Sequence, residues 1–176
     1  MHLLSARPAG AEDVEEPVDL GQSPGDIVVL SAADTELGCL AAARAGLPAD
    51  FPSLRLANLQ RLGHPLSVDL YLERVVEGAR LVVVRLLGGR PYWAYGVDQL
   101  ATFCRERGIG LALLPGDARE DPELAERSTV AAEDRAQLWG YLVHGGIGNS
   151  GQLLRFAATL FGRAETSPRD RGPAPA

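Results

Sequence analysis

The segment Gly88-Gly89-Arg90-Pro91-Tyr92-Trp93 combines residue types that could hold a ligand. Two adjacent glycines let the backbone approach a bound group closely. The Arg90 guanidinium could pair with a carboxylate. The rings of Tyr92 and Trp93 could stack on a flat conjugated system. The same residues also suit a tight turn from strand to helix, with an aromatic packed against a sheet, and both readings stand at this point. Ser31 and Asp34 follow another apolar ribbon and would reach the same edge, where a hydroxyl and a carboxylate add polar contacts.

Other motifs carry less. Residues 146–151 read GIGNSG, a literal G-x-G-x-x-G, but a helical pattern precedes them where a dinucleotide fingerprint needs a strand. A loop between two helices, with Asn149 or Ser150 as the next cap, explains them better. His2, His64 and His144 have no histidine or cysteine at metal-ligand spacing. The acids Asp117, Glu120, Asp121, Glu123 and Glu126 read as a solvated loop and helix start. Cys39 and Cys104 each fall in a helical pattern and read as small core residues. No nucleophile is bracketed by a base and its orienting partner, so no catalytic residue and no metal site is assigned.

Every one of the 17 basic residues is arginine. That excludes a phosphate-loop lysine, a Schiff-base lysine and the lysine of a phosphoacceptor domain. A net charge of −6 argues against nucleic acid as the main partner. The acid is concentrated early: no positive residue lies between Arg7 and Arg44. No apolar run approaches the roughly 20 residues that span a bilayer, and residues 1–6 do not resemble a secretory signal, so the expectation is a cytoplasmic protein without a membrane partner.

The elements that must position these residues follow from periodicity. Four apolar ribbons at 27–30, 54–57, 81–84 and 109–114 are mostly continuous, as expected for strands covered on both faces. Residues 2–4 could add a short strand. Between the ribbons lie helical patterns. The first starts at Ser31 or Asp34, runs through Leu37, Leu40 and Ala41, and stops at Gly46. The second is capped by Ser67 and buries Val68, Tyr71, Leu72, Val75 and Val76. The third buries Leu100, Phe103 and Cys104 and stops at Gly108. Two more helices follow. Residues 131–143 bury Ala132, Ala136, Trp139 and Leu142, and residues 149–161 bury Leu153, Phe156, Ala157 and Leu160.

This alternation predicts an α/β fold with a doubly wound, mainly parallel sheet of four to five strands, flavodoxin-like, with two extra C-terminal helices. Residues 1–25 read as an N-terminal strand and acidic loop, 26–162 as the domain, and 163–176 as a flexible linker or tail rich in proline and charge. Ligands of such sheets bind beyond the carboxyl ends of the strands. Here those ends carry Ser31 to Thr35, Asn58, Gly88 to Arg90 and Pro115 to Asp117.

Four long segments carry a resemblance: PGDIVVLSAADTEL (24–37), FPSLRLANLQRLGHPLSVDLYLERV (51–75), ARLVVVRLLGGRPYWAYGVDQL (79–100) and LALLPGDAREDPELAERSTV (111–130). Together they resemble the start of the large subunit of aerobic cobaltochelatase, a relative of the magnesium chelatase large subunit. The resemblance runs from about residue 1 to residue 162. It implies a part in inserting Co²⁺ into hydrogenobyrinic acid a,c-diamide on the aerobic route to cobalamin. That activity is a ligase forming nitrogen–metal bonds. It further implies that Co²⁺ is substrate, that ATP is hydrolysed by separate AAA+ and integrin-like subunits, and that no cofactor is bound by this chain. The family's subunit is many times longer, so this chain is expected to be a fragment or a truncated product and inactive alone. The resemblance assigns no individual role within 85–93. The candidate corrin-contact residues Gly88, Gly89, Arg90, Tyr92, Trp93, Ser31 and Asp34 come from residue chemistry. Two alternatives remain: a docking module for other chelatase domains or subunits, and an independent flavodoxin-like small-molecule binder.

Overall fold

The structure is a computed structural model and describes residues 16–161. Its strands arise where β-branched and leucine side chains run without interruption. These are β1 (Ile27–Ser31), β2 (Leu54–Asn58), β3 (Leu81–Leu86) and β4 (Gly110–Pro115). All pair in parallel in the order β2-β1-β3-β4, with Ile27 opposite both Leu54 and Leu81, and Leu81 opposite Gly110. This is the flavodoxin-type order over its first four strands.

The pleat sends alternate residues to opposite faces. Val28, Leu30, Val82, Val84, Leu111 and Leu113 meet α2 (Pro65–Arg74) and α3 (Ala94–Arg107), with Leu124 of α4 (Pro122–Arg127) added to the same cluster. Ile27, Val29, Leu81, Val83, Ala112 and Leu114 meet α1 (Asp34–Ala45), α5 (Ala132–His144) and α6 (Gly146–Thr159). Both faces are therefore covered, which explains why β1, β3 and β4 are continuous in hydrophobicity rather than alternating. The two expected extra helices are α5 and α6. They complete the layer that α1 alone would leave open.

Four described strands form the sheet; side chains close its β4 edge and cover one carbonyl of its β2 edge. On the β4 side, Ser128 Oγ accepts from Leu113 N–H and Thr129 Oγ1 accepts from Leu111 N–H. Thr129 N–H donates to Leu111 O, and the Arg135 guanidinium donates to Leu113 O. On the β2 side, the Gln22 amide donates to Leu56 O and accepts from the Tyr71 hydroxyl. Such pairing blunts edges that would otherwise template association. The expected strand at residues 2–4 lies outside the described residues, as does the tail. The described part of the acidic segment has no regular structure. It nevertheless packs: Val18 N–H donates to Ser67 Oγ, Leu20 sits against the core, and Pro24 lies where a Cβ on Gly78 would fall.

Several helix ends differ from the sequence expectation. The cap of α2 is His64, whose Nδ1 accepts from Leu66 N–H, with Pro65 at the first helical position. Ser67 is inside the helix and serves Val18 from 49 residues away, a need no local pattern records. Helix α1 begins at Asp34 without a side-chain cap, and its buried residues are Leu40 and Ala43, whereas Ala41 is exposed. Residues 146–151 are the start of α6 rather than a loop. Gly145 alone separates α5 from α6, at φ 68°, a turn only glycine makes without strain. Helix α5 is rotated from the expected phase: Arg135, Leu138 and Leu142 face inward, Trp139 is half-buried, and Ala132 and Ala136 are exposed. Arg135 turns in because Leu113 O and the Glu120 carboxylate offer it partners.

Candidate functional site

The carboxyl ends of the four strands form one edge, and the topology opens a crevice there between β1 and β3. The chain leaves β1 toward α1 on one face and leaves β3 toward α3 on the other, so the two exits diverge. Arg85 fills that crevice. It lies on β3 with its side chain on the α1, α5 and α6 face. Its guanidinium pairs with the Glu36 carboxylate in the first turn of α1. It also donates to Leu142 O at 2.9 Å, Gly116 O at 3.1 Å and Pro115 O at 3.3 Å. One residue thus ties β3 to α1, α5 and the end of β4. Glu36 Oε1 is buried without a hydrogen-bond partner.

Beside the plug, the two glycines make the expected tight turn. Gly88 has φ 93° and Gly89 φ 71° with ψ −160°, both outside the range comfortable for side chains. A Cβ on Gly89 would stand 2.7 Å from Asp121 Oδ2, and one on Gly116 would stand 2.6 Å from Leu87 Cα. The loops after β3 and β4 are therefore in contact, joined by Gly116 N–H donating to Leu86 O at 2.9 Å. Between them lies an open cleft of about 150 Å³, lined by Gly88, Gly89, Asp117, Arg119, Glu120 and Asp121 together with Leu86, Pro115 and Gly116. This is smaller than the roughly 300–1,000 Å³ usual for small-molecule sites.

The remaining candidates divide by environment. Arg90 is engaged by Asp98 on α3 through two bonds of 2.8 and 2.5 Å, and Arg127 and Glu123 extend the network. Hydrogen bonding from Arg90 holds the Asp98 carboxyl below its ordinary range despite partial desolvation. Trp93 is buried; its indole N–H donates to Leu62 O at 2.8 Å, and its ring lies where a Cβ on Gly96 would be. Tyr92 is exposed. Ser31 is buried and its hydroxyl accepts from Ala33 N–H. Asp34 is exposed and accepts from the Asn58 amide at 2.9 Å. The structure brings Gly88, Gly89, Arg90 and Tyr92 to the edge and directs Trp93 into the α2/α3 core. Among the described residues, no group of three or more His, Cys, Asp or Glu could hold a metal ion, and no helix is long and apolar enough to cross a membrane.

Two curated proteins match nearly the whole chain. The aerobic cobaltochelatase subunit CobN of a Sinorhizobium species is 47% identical over 165 residues, 94% of this chain. The CobN of Pseudomonas aeruginosa is 44% identical over 159 residues, 90% of this chain. The chain belongs to the CobN family. The match covers 13% of the length of each CobN relative. No family model and no solved structure matches the chain.

Within this CobN-family chain, sequence reasoning missed Arg85 as the residue that occupies the crevice. Its signal was present: a single charge inside the apolar ribbon LVVVRLL. Strand β3 extends two residues past the run that ends at Val84, which places Arg85 within the sheet. Asp98 was missed because it lies on the helix that follows the candidate turn, one helical stripe away from any motif.

Proposed function

We propose that this chain acts as one segment of a cobaltochelatase large subunit. The complete assembly inserts Co²⁺ into hydrogenobyrinic acid a,c-diamide, and ATP is spent on separate AAA+ and integrin-like subunits. Identity of 47% to CobN across 94% of the chain is the observation that carries this reading. Co²⁺ and the corrin are substrates of the whole assembly, which works in the cytoplasm.

The segment's own part is to dock and position neighbouring domains rather than to perform metal transfer. Three features support that role. Arg85 spends its donors on Glu36 and three carbonyls, Arg90 spends its fork on Asp98, and Trp93 spends its ring on the core. A corrin is a wide ring bearing carboxylates, and the cleft of about 150 Å³ is both narrow and lined by Asp117, Glu120 and Asp121. Those acids would repel such a ligand.

Titrating the purified 176-residue chain with hydrogenobyrinic acid a,c-diamide tests the docking role. We expect no shift in the corrin's visible spectrum. A saturable shift that Tyr92→Ala abolishes would instead assign substrate contact to the Gly88–Tyr92 edge. Cobalt insertion by this chain with ATP alone would overturn the segment reading altogether.

A further inference from the structure

We propose that the carboxyl edge of the sheet is the face against which the rest of a CobN-type subunit packs, and that the packing surface opposite it is apolar with basic residues. This inference rests on reading the chain as one segment of that subunit.

The placement of exposed apolar side chains carries the inference. Among the described residues, seven large hydrophobics are exposed, and six of them are Leu66, Leu87, Tyr92, Tyr95, Val143 and Ile147. Each lies at the carboxyl edge. Leu66 is in the first turn of α2, which the chain enters from the end of β2. Leu87 follows β3, and Tyr92 and Tyr95 sit in the 3-10 turn at Arg90–Trp93 and the first turn of α3. Val143 and Ile147 flank the Gly145 junction of α5 and α6, and Arg85 pins that junction to the same edge through Leu142 O. The seventh, Val18, is 36% exposed, whereas Leu87 is 64% and Ile147 56% exposed. Scattered apolar exposure is ordinary, but exposure gathered on one edge marks an interface.

Charge and length identify the occupant. Asp117, Glu120 and Asp121 stand beside Leu87 with Arg119 as the base among the cleft-lining residues, and the whole chain carries −6. A second copy would set acid against acid, which is unfavourable. A surface of the opposite sign is favoured. Most of each CobN relative lies outside the matched 13%, so a large surface of the same polypeptide is at hand. The side-chain caps on the β4 edge leave strand addition there unfavourable, which favours docking on the strand ends.

Cysteine labelling reads this directly. Leu87→Cys, Tyr92→Cys and Ile147→Cys are each placed in a Cys39→Ser background. The control is Glu106→Cys, at the opposite edge where α3 ends. Each is made both in the isolated 176-residue chain and in Pseudomonas aeruginosa CobN whose matching segment is replaced by this chain. We expect maleimide to react at least about tenfold more slowly at the three edge positions in the full subunit, as for residues in a domain interface, with Glu106→Cys changed less than about twofold. Equal edge rates in both contexts would overturn the inference while leaving the segment reading intact, provided that the chimera inserts cobalt. A chimera that fails to insert cobalt would overturn both. Edge protection that appears in the isolated chain as its concentration rises would assign the face to self-association, and protection on adding corrin would assign it to substrate; either overturns the proposal.

Discussion

Arg85 and Glu36 form an ion pair that closes the crevice between β1 and β3. Both side chains are largely buried, at 15% and 13% exposure. The pair is a structural clamp, since Arg85 also holds the carbonyls of Pro115, Gly116 and Leu142. Removing one partner leaves a buried charge uncompensated. Arg85→Met is expected to destabilise the chain by about 3 kcal/mol, toward the low end for breaking buried pairs because some water reaches this one. Arg85→Met combined with Glu36→Leu should cost less than Arg85→Met alone. Urea unfolding followed by circular dichroism checks both. A double variant less stable than the single one would refute an uncompensated Glu36 charge as the source of the loss.

Trp93 and Gly96 fit one another face to backbone. A Cβ at position 96 would overlap the indole, and the ring is fixed by its bond to Leu62 O. Trp93→Ala opens a cavity under α2 and α3 and should cost about 3–5 kcal/mol. Gly96→Ala should cost about 1–3 kcal/mol by overpacking. The two changes should be strongly non-additive, because Trp93→Ala removes what Gly96→Ala collides with. A thermal-melt double-mutant cycle with simple additivity would refute the contact.

Gly89 holds a backbone conformation that a side chain resists, and Asp121 Oδ2 occupies the space a side chain would take. Gly89→Ala should therefore cost about 1–3 kcal/mol. Gly21 offers a contrast: it has φ 67° but nothing within reach of a Cβ, so Gly21→Ala should cost less. Guanidinium midpoints compare the two, and equal losses would mean that Asp121 gives way freely.

Asp98 sets an acid limb on stability. Its bonds from Arg90 lower its pKa below the ordinary 3.8. A carboxyl lowered in the folded state stabilises fully above its unfolded pKa, and that share is lost as pH falls through the folded one. Asp98→Asn should thus differ most from the parent near neutral pH and converge with it in strong acid, below the ordinary carboxylate range. Denaturation midpoints across that range test this. A gap that stays constant to the lowest pH would exclude ionisation of Asp98 as the cause.

Cys104 is buried at the α2/α3 core and desolvation pushes its thiol up to about 12. Cys39 is partly exposed. Native chain at pH 8 should yield fast reaction of at most one thiol with a disulfide reagent, and both should react after unfolding. Fast reaction of both in the native state would show local opening of α3.

The fold was legible because it rests on local periodicity. The ribbon IVVL, short and β-branched, reads as a strand buried on both sides, and the stripe Val68, Tyr71, Leu72, Val75, Val76 reads as facing a core; both are buried. The candidate site was half legible. The Gly88-Gly89 turn follows from composition, since two left-handed positions in succession leave little choice of residue. The fates of Arg90 and Trp93 do not, because Asp98 and Leu62 reach them only after α3 and α2 have packed. Ser67 looked like a cap and proved to be the acceptor for Val18; His64, which lacked any metal-ligand spacing, proved to be the cap.

Alone, the order of residues determined four parallel ribbons, the helices between them and the kinship with a chelatase subunit, since each depends on neighbours in the chain or on long matched segments. Only tertiary packing decided that Arg85 plugs the crevice, that Arg135 turns inward and that Trp93 leaves the edge for the core. Each of those outcomes is a competition among partners distant in sequence. The arrangement that forms gives most of the buried polar groups a partner once the layers have closed, with Glu36 Oε1 and one Arg135 nitrogen left unpaired.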